Sequence, residues 1–179
     1  MKKQHVEHVL RAAAKITGEK QFIIVGSQAL HGKFPDIPDE IVMSVEVDLI
    51  AKKNTDRTEW LNTIGQDSNF HETFGYYADP VDESTAVLPK GWKGRLVNLT
   101  AGDVMGLCLE PHDLAIAKYV ARRQKDRQFT RELARRGYTR KKRLLELLEL
   151  TSVKDEIKAR IAKDISADFQ AAAAARRES

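Results

Sequence analysis

Two neighbouring stretches decide how this chain folds, FIIVGSQAL at residues 22–30 and SVEVDLIA at residues 44–51. The first is aromatic and β-branched and is stopped by Gly26, a pattern that predicts a short buried strand. In the second, apolar residues alternate with charged ones, which predicts a strand buried on one face. Successive side chains of a strand point to opposite faces, so we expect Glu46 and Asp48 to share a face.

The groups in these stretches suit a phosphate and a metal ion. Gly26 has no Cβ, so a ligand can approach its backbone closely. Ser27 is expected to cap a helix that begins at Gln28, and the N-terminus of a helix favours a phosphate. Glu46 and Asp48, roughly 7 Å apart, repel each other unless they are solvated or share a cation such as Mg²⁺. Each motif alone also fits a structural role. Gly-Ser after an apolar run is common, and an acid-x-acid strand is often the solvated face of an edge strand.

The order Gly26-Ser27, then Glu46-x-Asp48, resembles the opening motifs of the nucleotidyltransferase superfamily, which has the polymerase-β-like fold. Within it, the chain is similar to a small bacterial group related to the AbiE-type toxin nucleotidyltransferases. The resemblance implies an α/β (α+β) fold, with a mixed sheet flanked by helices and a C-terminal helical part. Two features depart from the family pattern: the interval between the motifs is longer than usual, and Glu46 replaces the commoner aspartate.

A second segment, DLAIAKYVARRQKD at residues 113–126, carries the rest of the resemblance. Lys118, Arg122 and Asp126 follow at steps of four, which places them along one side of an unbroken helix. By the family pattern, Lys118 meets the nucleotide phosphates with support from Arg122. Asp126 then serves as a base or as a carboxylate near the metal. The alternative is an exposed helix with an Arg122–Asp126 ion pair.

The resemblance therefore implies a nucleotidyltransferase that moves NMP from an NTP to an acceptor hydroxyl, using Mg²⁺ or Mn²⁺. Glu46 and Asp48 are the expected metal ligands, and the glycine-serine pair of the first motif is expected to bind the phosphates. Asp79 and Asp82 are candidates for a third carboxylate. Pro80 lies between them, however, so the pattern favours a turn over a carboxylate site for this segment.

Charge is unevenly distributed along the chain, whose formal net charge is +4. We define the basic segment as Arg122–Arg143, which holds eleven Lys or Arg and two acidic residues. This concentration suggests a polyanionic partner, such as RNA or a tRNA end that accepts the nucleotide. Two alternatives remain. The protein is a non-catalytic nucleic-acid-binding module on a degenerate nucleotidyltransferase fold, or the segment docks an acidic protein such as an antitoxin.

Length and composition indicate one compact unit, since 179 residues with 42% hydrophobic content suffice for a sizeable core. The single cysteine, Cys108, excludes an intrachain disulfide and is expected to be a buried hydrophobe. A charged N-terminus and the lack of a long apolar run lead us to expect a cytoplasmic protein. We expect a nucleotidyltransferase core at residues 1–110. A helical part at residues 111–179 is expected to complete the cleft, with a frayed tail after about residue 170.

The hydrophobic pattern also predicts the elements around the motifs. It indicates helices over residues 5–17 and 56–70, with Trp60 on the buried side of the second, and a strand over residues 71–78. The proline-containing loop at residues 32–40 fits either a flap over the site or a plain connector.

Two histidines and two tyrosines each fit either a functional or a structural role. His5 and His8 lie three residues apart on the first helix, where they fit either metal ligands or ordinary surface histidines. Tyr76 and Tyr77 fit either stacking on a base or ordinary packing, one in the core and one exposed.

Overall fold

The computed structural model describes residues 1–177, and the chain divides into two compact units. The first unit contains Met1–Thr85 and Arg95–Glu110. The second contains Ala86–Gly94 and the described residues from Pro111 onward. Nothing in the sequence indicated that Ala86–Gly94 packs with the C-terminal helices, because that association depends on contacts distant in sequence.

A five-stranded mixed sheet forms the centre of the first unit. Its strands are β1 (Gln21–Ile24), β2 (Glu46–Ala51), β3 (Tyr77–Pro80), β4 (Val97–Ala101) and β5 (Val104–Cys108). In space the order is β3-β2-β1-β5-β4. β1 is antiparallel to β2 and parallel to β5, β2 is parallel to β3, and β4 is antiparallel to β5. The two strands predicted from the motifs are β1 and β2, and they lie side by side.

Helices account for most of the remaining structure. Within residues 1–177 the α-helices are α1 (Lys3–Thr17), α2 (Asn69–Phe74), α3 (Pro111–Ala121), α4 (Gln124–Arg135), α5 (Lys141–Glu149) and α6 (Asp155–Ala175). Short 3₁₀ helices lie at Ser27–Gly32, Thr55–Ile64, Glu83–Thr85 and Trp92–Arg95. In this part of the chain, no helix is both long enough and apolar enough to cross a membrane. The mixed sheet, flanking helices and helical C-terminal part confirm the predicted fold class.

α1 packs on the sheet and buries the apolar side that its periodicity predicts. Gly18 ends α1 with a φ of +71°, a conformation that glycine adopts without strain. The packing is tight at Gly106 of β5. A Cβ added there would lie 3.0 Å from the side chains of Leu10 on α1 and Ile24 on β1. These contacts identify the face of the sheet that α1 covers.

The segment between β2 and β3 differs from its prediction. The helix predicted at residues 56–70 is a 3₁₀ helix at Thr55–Ile64, and Trp60 is 51% exposed instead of buried. The strand predicted at residues 71–78 is wrong over its first half, because α2 occupies Asn69–Phe74. Ser68 begins α2 by accepting a hydrogen bond from the His71 N–H, and Gly75 ends it with a φ of +73°.

A buried carboxylate connects the helices of the second unit. Asp168 on α6 accepts hydrogen bonds from the Tyr119 hydroxyl on α3 at 2.9 Å and from the Thr130 hydroxyl on α4 at 3.1 Å. Arg131 Nε on α4 also donates to it, at 3.3 Å. α6 continues to Ala175 and buries Ala172, whereas the sequence predicted a frayed end after about residue 170. The last two residues of that prediction lie outside the described part of the chain.

Candidate active site

Glu46 and Asp48 lie on the same face of β2, as the alternation predicts. Between and beyond them, Val47 and Leu49 are fully buried on the opposite face. Leu49 pairs with Ile24, so that opposite face is the one that α1 covers. The two acidic side chains are only partly buried and therefore project from the face away from α1.

Asp79 lies beside Asp48 on the neighbouring strand. β2 and β3 are parallel, with Asp48 opposite Asp79 and Glu46 opposite Tyr77. Paired residues of adjacent strands point to the same face and lie roughly 5 Å apart. The turn predicted for Asp79 is therefore wrong, and this residue joins the two predicted carboxylates in a row that we call the acidic face: Glu46, Asp48 and Asp79.

The acidic face concentrates negative charge. Burial raises the pKa of Asp79 above its ordinary value, and the nearby charge of Glu46 raises it further. Burial also raises the pKa of Tyr77, with added effects from Glu46, Asp79 and Asp48 in that order. A cation bound here would reduce the repulsion among these groups.

Asp82, the other candidate for a third carboxylate, serves a turn. Its Oδ1 accepts hydrogen bonds from the Ser84 N–H at 2.7 Å and from the Ser84 hydroxyl at 2.5 Å. These bonds lower its pKa. The turn interpretation is therefore correct for Asp82.

Gly26 provides space for the Asp48 carboxylate. A Cβ added to Gly26 would lie 1.6 Å from Asp48 Oδ2 and 2.7 Å from Asp48 Cγ. The φ of Gly26 is −89°, which any residue adopts, so the backbone conformation does not require glycine there. Glycine is required because the carboxylate occupies the place of a side chain, which brings the two sequence motifs into direct contact.

Ser27 does not cap a helix as predicted. It is the first residue of the six-residue 3₁₀ helix Ser27–Gly32, whose N-cap is Gly26, and no side chain caps that end. The Ser27 hydroxyl instead lies 3.1 Å from the hydroxyl of Ser44. Sequence reasoning missed Ser44, because it lies in an irregular segment where no periodic pattern indicates which side chains return to the motif.

The acidic face fits a divalent ion that is shared with a substrate. Within residues 1–177, no three His, Cys, Asp or Glu side chains converge closely enough to hold a metal ion by themselves. Mg²⁺ usually binds one or two carboxylates and completes its shell with water and phosphate oxygens. Asp48, held against Gly26, and Glu46, on the same face, are the residues that could hold such an ion together with a substrate.

A cleft of about 650 Å³ opens at Asp79. Its other lining residues are mostly acidic or small and polar: Ile50, Thr55, Asp56, Thr58, Glu59, Asn62, Pro80, Val81, Asp82 and Glu83. All of them belong to the first unit. The cleft therefore gives a substrate-sized space next to one end of the acidic face.

In the second unit, Lys118 and Asp126 meet across a break between helices. α3 ends at Ala121, and Arg122 has a φ of +56°, so the unbroken helix expected from the steps of four is wrong. Lys118 Nζ nevertheless lies 3.4 Å from Asp126 Oδ1 and 5.8 Å from the centre of the Phe129 ring. The ammonium is thus held between a carboxylate and an aromatic face.

Asp126 is 1% exposed and accepts several hydrogen bonds. Arg123 donates its backbone N–H at 3.0 Å and its Nε at 2.8 Å, which caps the start of α4. Burial raises the pKa of Asp126, but the Arg123 hydrogen bond and the Lys118 charge outweigh it, and the pKa is lowered. Arg122 pairs with Asp164 at 3.1 Å, so the alternative of an Arg122–Asp126 ion pair is wrong.

Many cations of the basic segment are paired with acids of the same unit. At least six of its eleven basic residues have such partners: Arg122 with Asp164, Arg123 with Asp126, Arg131 with Asp168, Arg135 and Arg136 with Glu132, and Arg143 with Glu146. Lys125 and Arg127 are exposed on α4. The charge available to a polyanion is therefore smaller than the sequence suggests.

The two histidines of α1 pack against a tyrosine. The rings of His5 and Tyr76 stack with centres 4.7 Å apart, and His8 Nδ1 lies 2.9 Å from the Tyr76 hydroxyl. Burial lowers the pKa of both histidines. Tyr76 and Tyr77 are both half-buried, so the expectation of one core and one exposed tyrosine is wrong. Cys108 is buried, which raises its pKa to about 12 and confirms the predicted hydrophobic role.

Comparison with known proteins identifies the family. Residues 4–176 match the model of a family described as nucleotidyltransferase of unknown function (DUF6036). No curated protein matches the chain, and no solved structure does. The family match supports the predicted nucleotidyltransferase superfamily, whereas the resemblance to the AbiE-type group stays a prediction. Because the match spans nearly the whole chain, the protein belongs to this family of nucleotidyltransferases.

Proposed function

We propose that this nucleotidyltransferase moves NMP from an NTP to an acceptor hydroxyl and that it depends on Mg²⁺. One observation carries the proposal: the Asp48 carboxylate lies where a Cβ of Gly26 would be. This contact joins the phosphate-binding motif to the acidic face. A triphosphate at Gly26 and Ser27 would therefore lie next to the carboxylates that bind its metal ion.

Glu46 and Asp48 are the residues that would hold Mg²⁺, or Mn²⁺ in its place. The bound ion supplies charge neutralisation for the phosphates. Gly26 has no side chain and so leaves room for the Asp48 carboxylate, which keeps a metal ligand beside the phosphate-binding motif. The Ser27 hydroxyl donates a hydrogen bond to a phosphate oxygen.

In the transfer step, the acceptor oxygen forms a bond to the α-phosphorus of the NTP. The bond from that phosphorus to the oxygen bridging the α- and β-phosphates breaks, and pyrophosphate leaves with the electron pair. The hydroxyl proton passes to a carboxylate. We assign this role to Asp79, since a raised pKa makes it a stronger proton acceptor than an ordinary aspartate and it lines the cleft.

The resemblance implies that Lys118 binds phosphate, and we keep that role as a separate proposal. Asp126 and the Phe129 ring hold its ammonium, so Asp126 acts by positioning Lys118. Arg122 is a weaker candidate because it pairs with Asp164. Lys118→Met should reduce NTP affinity, whereas the exposed control Lys125→Met should not; equal affinities would remove Lys118 from the proposal.

Calorimetric titration of the four NTPs with Mg²⁺ tests the function directly. The wild-type chain should bind at least one NTP only when Mg²⁺ is present, and Asp48→Asn should abolish that binding. Asp103→Asn is the matched control, because Asp103 is exposed and pairs with Lys20 at the surface. NMP transfer that survives Asp48→Asn would disprove the mechanism.

The acceptor is proposed from charge alone. The exposed cations of the basic segment, such as Lys125 and Arg127, favour RNA, and a tRNA end as acceptor would make the enzyme toxin-like. The same cations support the alternative of a non-catalytic nucleic-acid-binding module, or of a surface for an acidic antitoxin. A non-catalytic module would bind RNA with strong salt dependence and show no Mg²⁺-dependent NTP binding. Labelled NTP incubated with total RNA separates these cases.

A further inference from the structure

The hydroxyl of Ser44 lies next to the phosphate-binding motif. Its Oγ is 3.1 Å from Ser27 Oγ, and both side chains are half-buried. The two residues are 17 positions apart in the chain. The long interval between Gly26 and Glu46, which departs from the family pattern, therefore returns to the motif immediately before β2.

A buried glutamine fixes Ser44 in this position. Gln28 is 0% exposed, and its Nε2 donates to the Ser44 carbonyl at 2.9 Å and to Ser44 Oγ at 3.2 Å. Gln28 Oε1, also buried, has no hydrogen-bond partner within residues 1–177. A buried acceptor without a partner costs free energy. The amide thus holds Ser44 through its donor side while its acceptor side stays unsatisfied.

The hydrogen count of the pair leaves one hydrogen that a ligand could take from a long contact. Each hydroxyl has one hydrogen and two lone pairs. The Gln28 amide already occupies a lone pair of Ser44 Oγ, and the bond between the two hydroxyls uses one of their two hydrogens. The remaining hydrogen can reach the Glu46 carbonyl, which accepts from Ser44 Oγ over a longer distance of 3.4 Å. A phosphate oxygen beside the pair would compete well for these hydrogens, because charge-assisted bonds are stronger.

We propose that Ser44 is a second phosphate-binding hydroxyl, which acts together with Ser27 on the terminal phosphates of the NTP. This inference rests on the proposed function. It gives the long interval a direct role in the site, because the interval delivers Ser44 to Ser27. It also gives Gln28 the role of a positioning residue for that hydroxyl.

The test compares ligands with and without phosphates. Calorimetry with Mg²⁺ would measure the affinity of the wild type and of Ser44→Ala for the NTP that binds, for tripolyphosphate and for the corresponding nucleoside. Loss of a hydrogen bond to a charged group should weaken NTP and tripolyphosphate binding by about tenfold to a hundredfold. Nucleoside affinity should not change. Ser152→Ala, at an exposed serine of the second unit, is the matched control and should bind like the wild type.

A second variant guards against an effect on folding. Ser44→Cys keeps the size of the side chain but donates weakly, so it should show the same selective loss. If the wild type binds NTP and both variants bind it equally well, the role of Ser44 is overturned, whereas the proposed function is not. Equal weakening for nucleoside and triphosphate would also overturn it, since that result indicates a structural role. No Mg²⁺-dependent binding by the wild type would instead overturn the proposed function and the Ser44 contact together.

Discussion

Two carboxylates, Asp79 of the first unit and Asp126 of the second, are in opposite electrostatic environments. On the acidic face of the first unit, burial raises the pKa of Asp79, and the charge of Glu46 raises it further. In the second unit, Asp126 lies between Arg123 and Lys118, and its pKa is lowered. The first arrangement disfavours the charged carboxylate, whereas the second stabilises it.

We interpret this difference as evidence for our proposal that the acidic face is the functional site and that Asp126 has a structural role. A folded protein gains nothing from placing acids side by side unless a ligand neutralises them, and perturbed acids of this kind are concentrated at functional sites. A carboxylate that caps a helix and pairs with two cations is explained by stability alone. This is why we assign the chemistry to the acidic face and give Asp126 a positioning role.

The largest effect should come from Gly26→Ala. The new Cβ would occupy the place of Asp48 Oδ2, so the carboxylate must move while the backbone conformation stays acceptable. We expect NMP transfer to fall by about 100-fold, as displacements near 1 Å at a reacting centre do. Gly94→Ala is the control, because a Cβ there meets no atom within 4 Å. Unchanged transfer by Gly26→Ala would show that the Asp48–Gly26 contact is not part of the site.

Sequence reasoning succeeded where the signal is local. Alternation within β2 places Glu46 and Asp48 on one face whatever the rest of the fold does. Asp79 was ambiguous because its role depends on the register between β2 and β3, which Pro80 obscured by suggesting a turn. Ser44 carried no signal, since its position depends on the course of an irregular segment.

The second unit shows a different limit of sequence reasoning. Spacing placed Lys118, Arg122 and Asp126 along one side of an unbroken helix, whereas Lys118 and Asp126 meet across the break between helices at Arg122. Positive φ values are uncommon for residues other than glycine, so the residue type at position 122 did not predict a break between helices. The one ion pair that the spacing suggested, Arg122–Asp126, is wrong, and the contact between Lys118 and Asp126 was not predicted.

Asp126→Asn should destabilise the protein by about 1–3 kcal/mol, because it removes a buried, charged acceptor from the hydrogen bonds that Arg123 donates. The pKa of Asp126 is lowered in the folded state, so its contribution is complete above the ordinary value of 3.8 and is lost as pH falls through the folded pKa. Urea unfolding at neutral and acidic pH measures both effects. Lys125→Gln, at the exposed neighbouring position, should stay within about 0.5 kcal/mol of the wild type.

A stability difference that did not change with pH would contradict the assigned role of the Asp126 charge. If the difference between wild type and Asp126→Asn persisted below the folded pKa, the loss would come from packing and not from charge. The charge of Asp126 would then no longer support the contrast between the two units.

Asp79→Asn should have a smaller effect of the opposite sign and should raise the free energy of unfolding. The pKa of Asp79 is raised in the folded state, so ionisation destabilises the fold at neutral pH, and this penalty disappears as pH falls through the folded pKa. The gain in melting temperature should therefore be present at pH 7 and absent under acidic conditions. Lower stability of Asp79→Asn at neutral pH would contradict the proposed crowding of the acidic face.

The smallest effect should come from Glu132→Gln on α4. Glu132 accepts from Arg135 at 2.7 Å and from Arg136 at 3.1 Å, and all three side chains are partly exposed. Exposed ion pairs contribute about 0.2–1 kcal/mol, and salt screens them. The loss should shrink at about 1 M salt, whereas the loss in Asp126→Asn, a buried group, should largely persist. If both losses disappeared equally with salt, burial would not distinguish Asp126 from the surface pairs, and its assignment as the fixed anchor of Lys118 would fail.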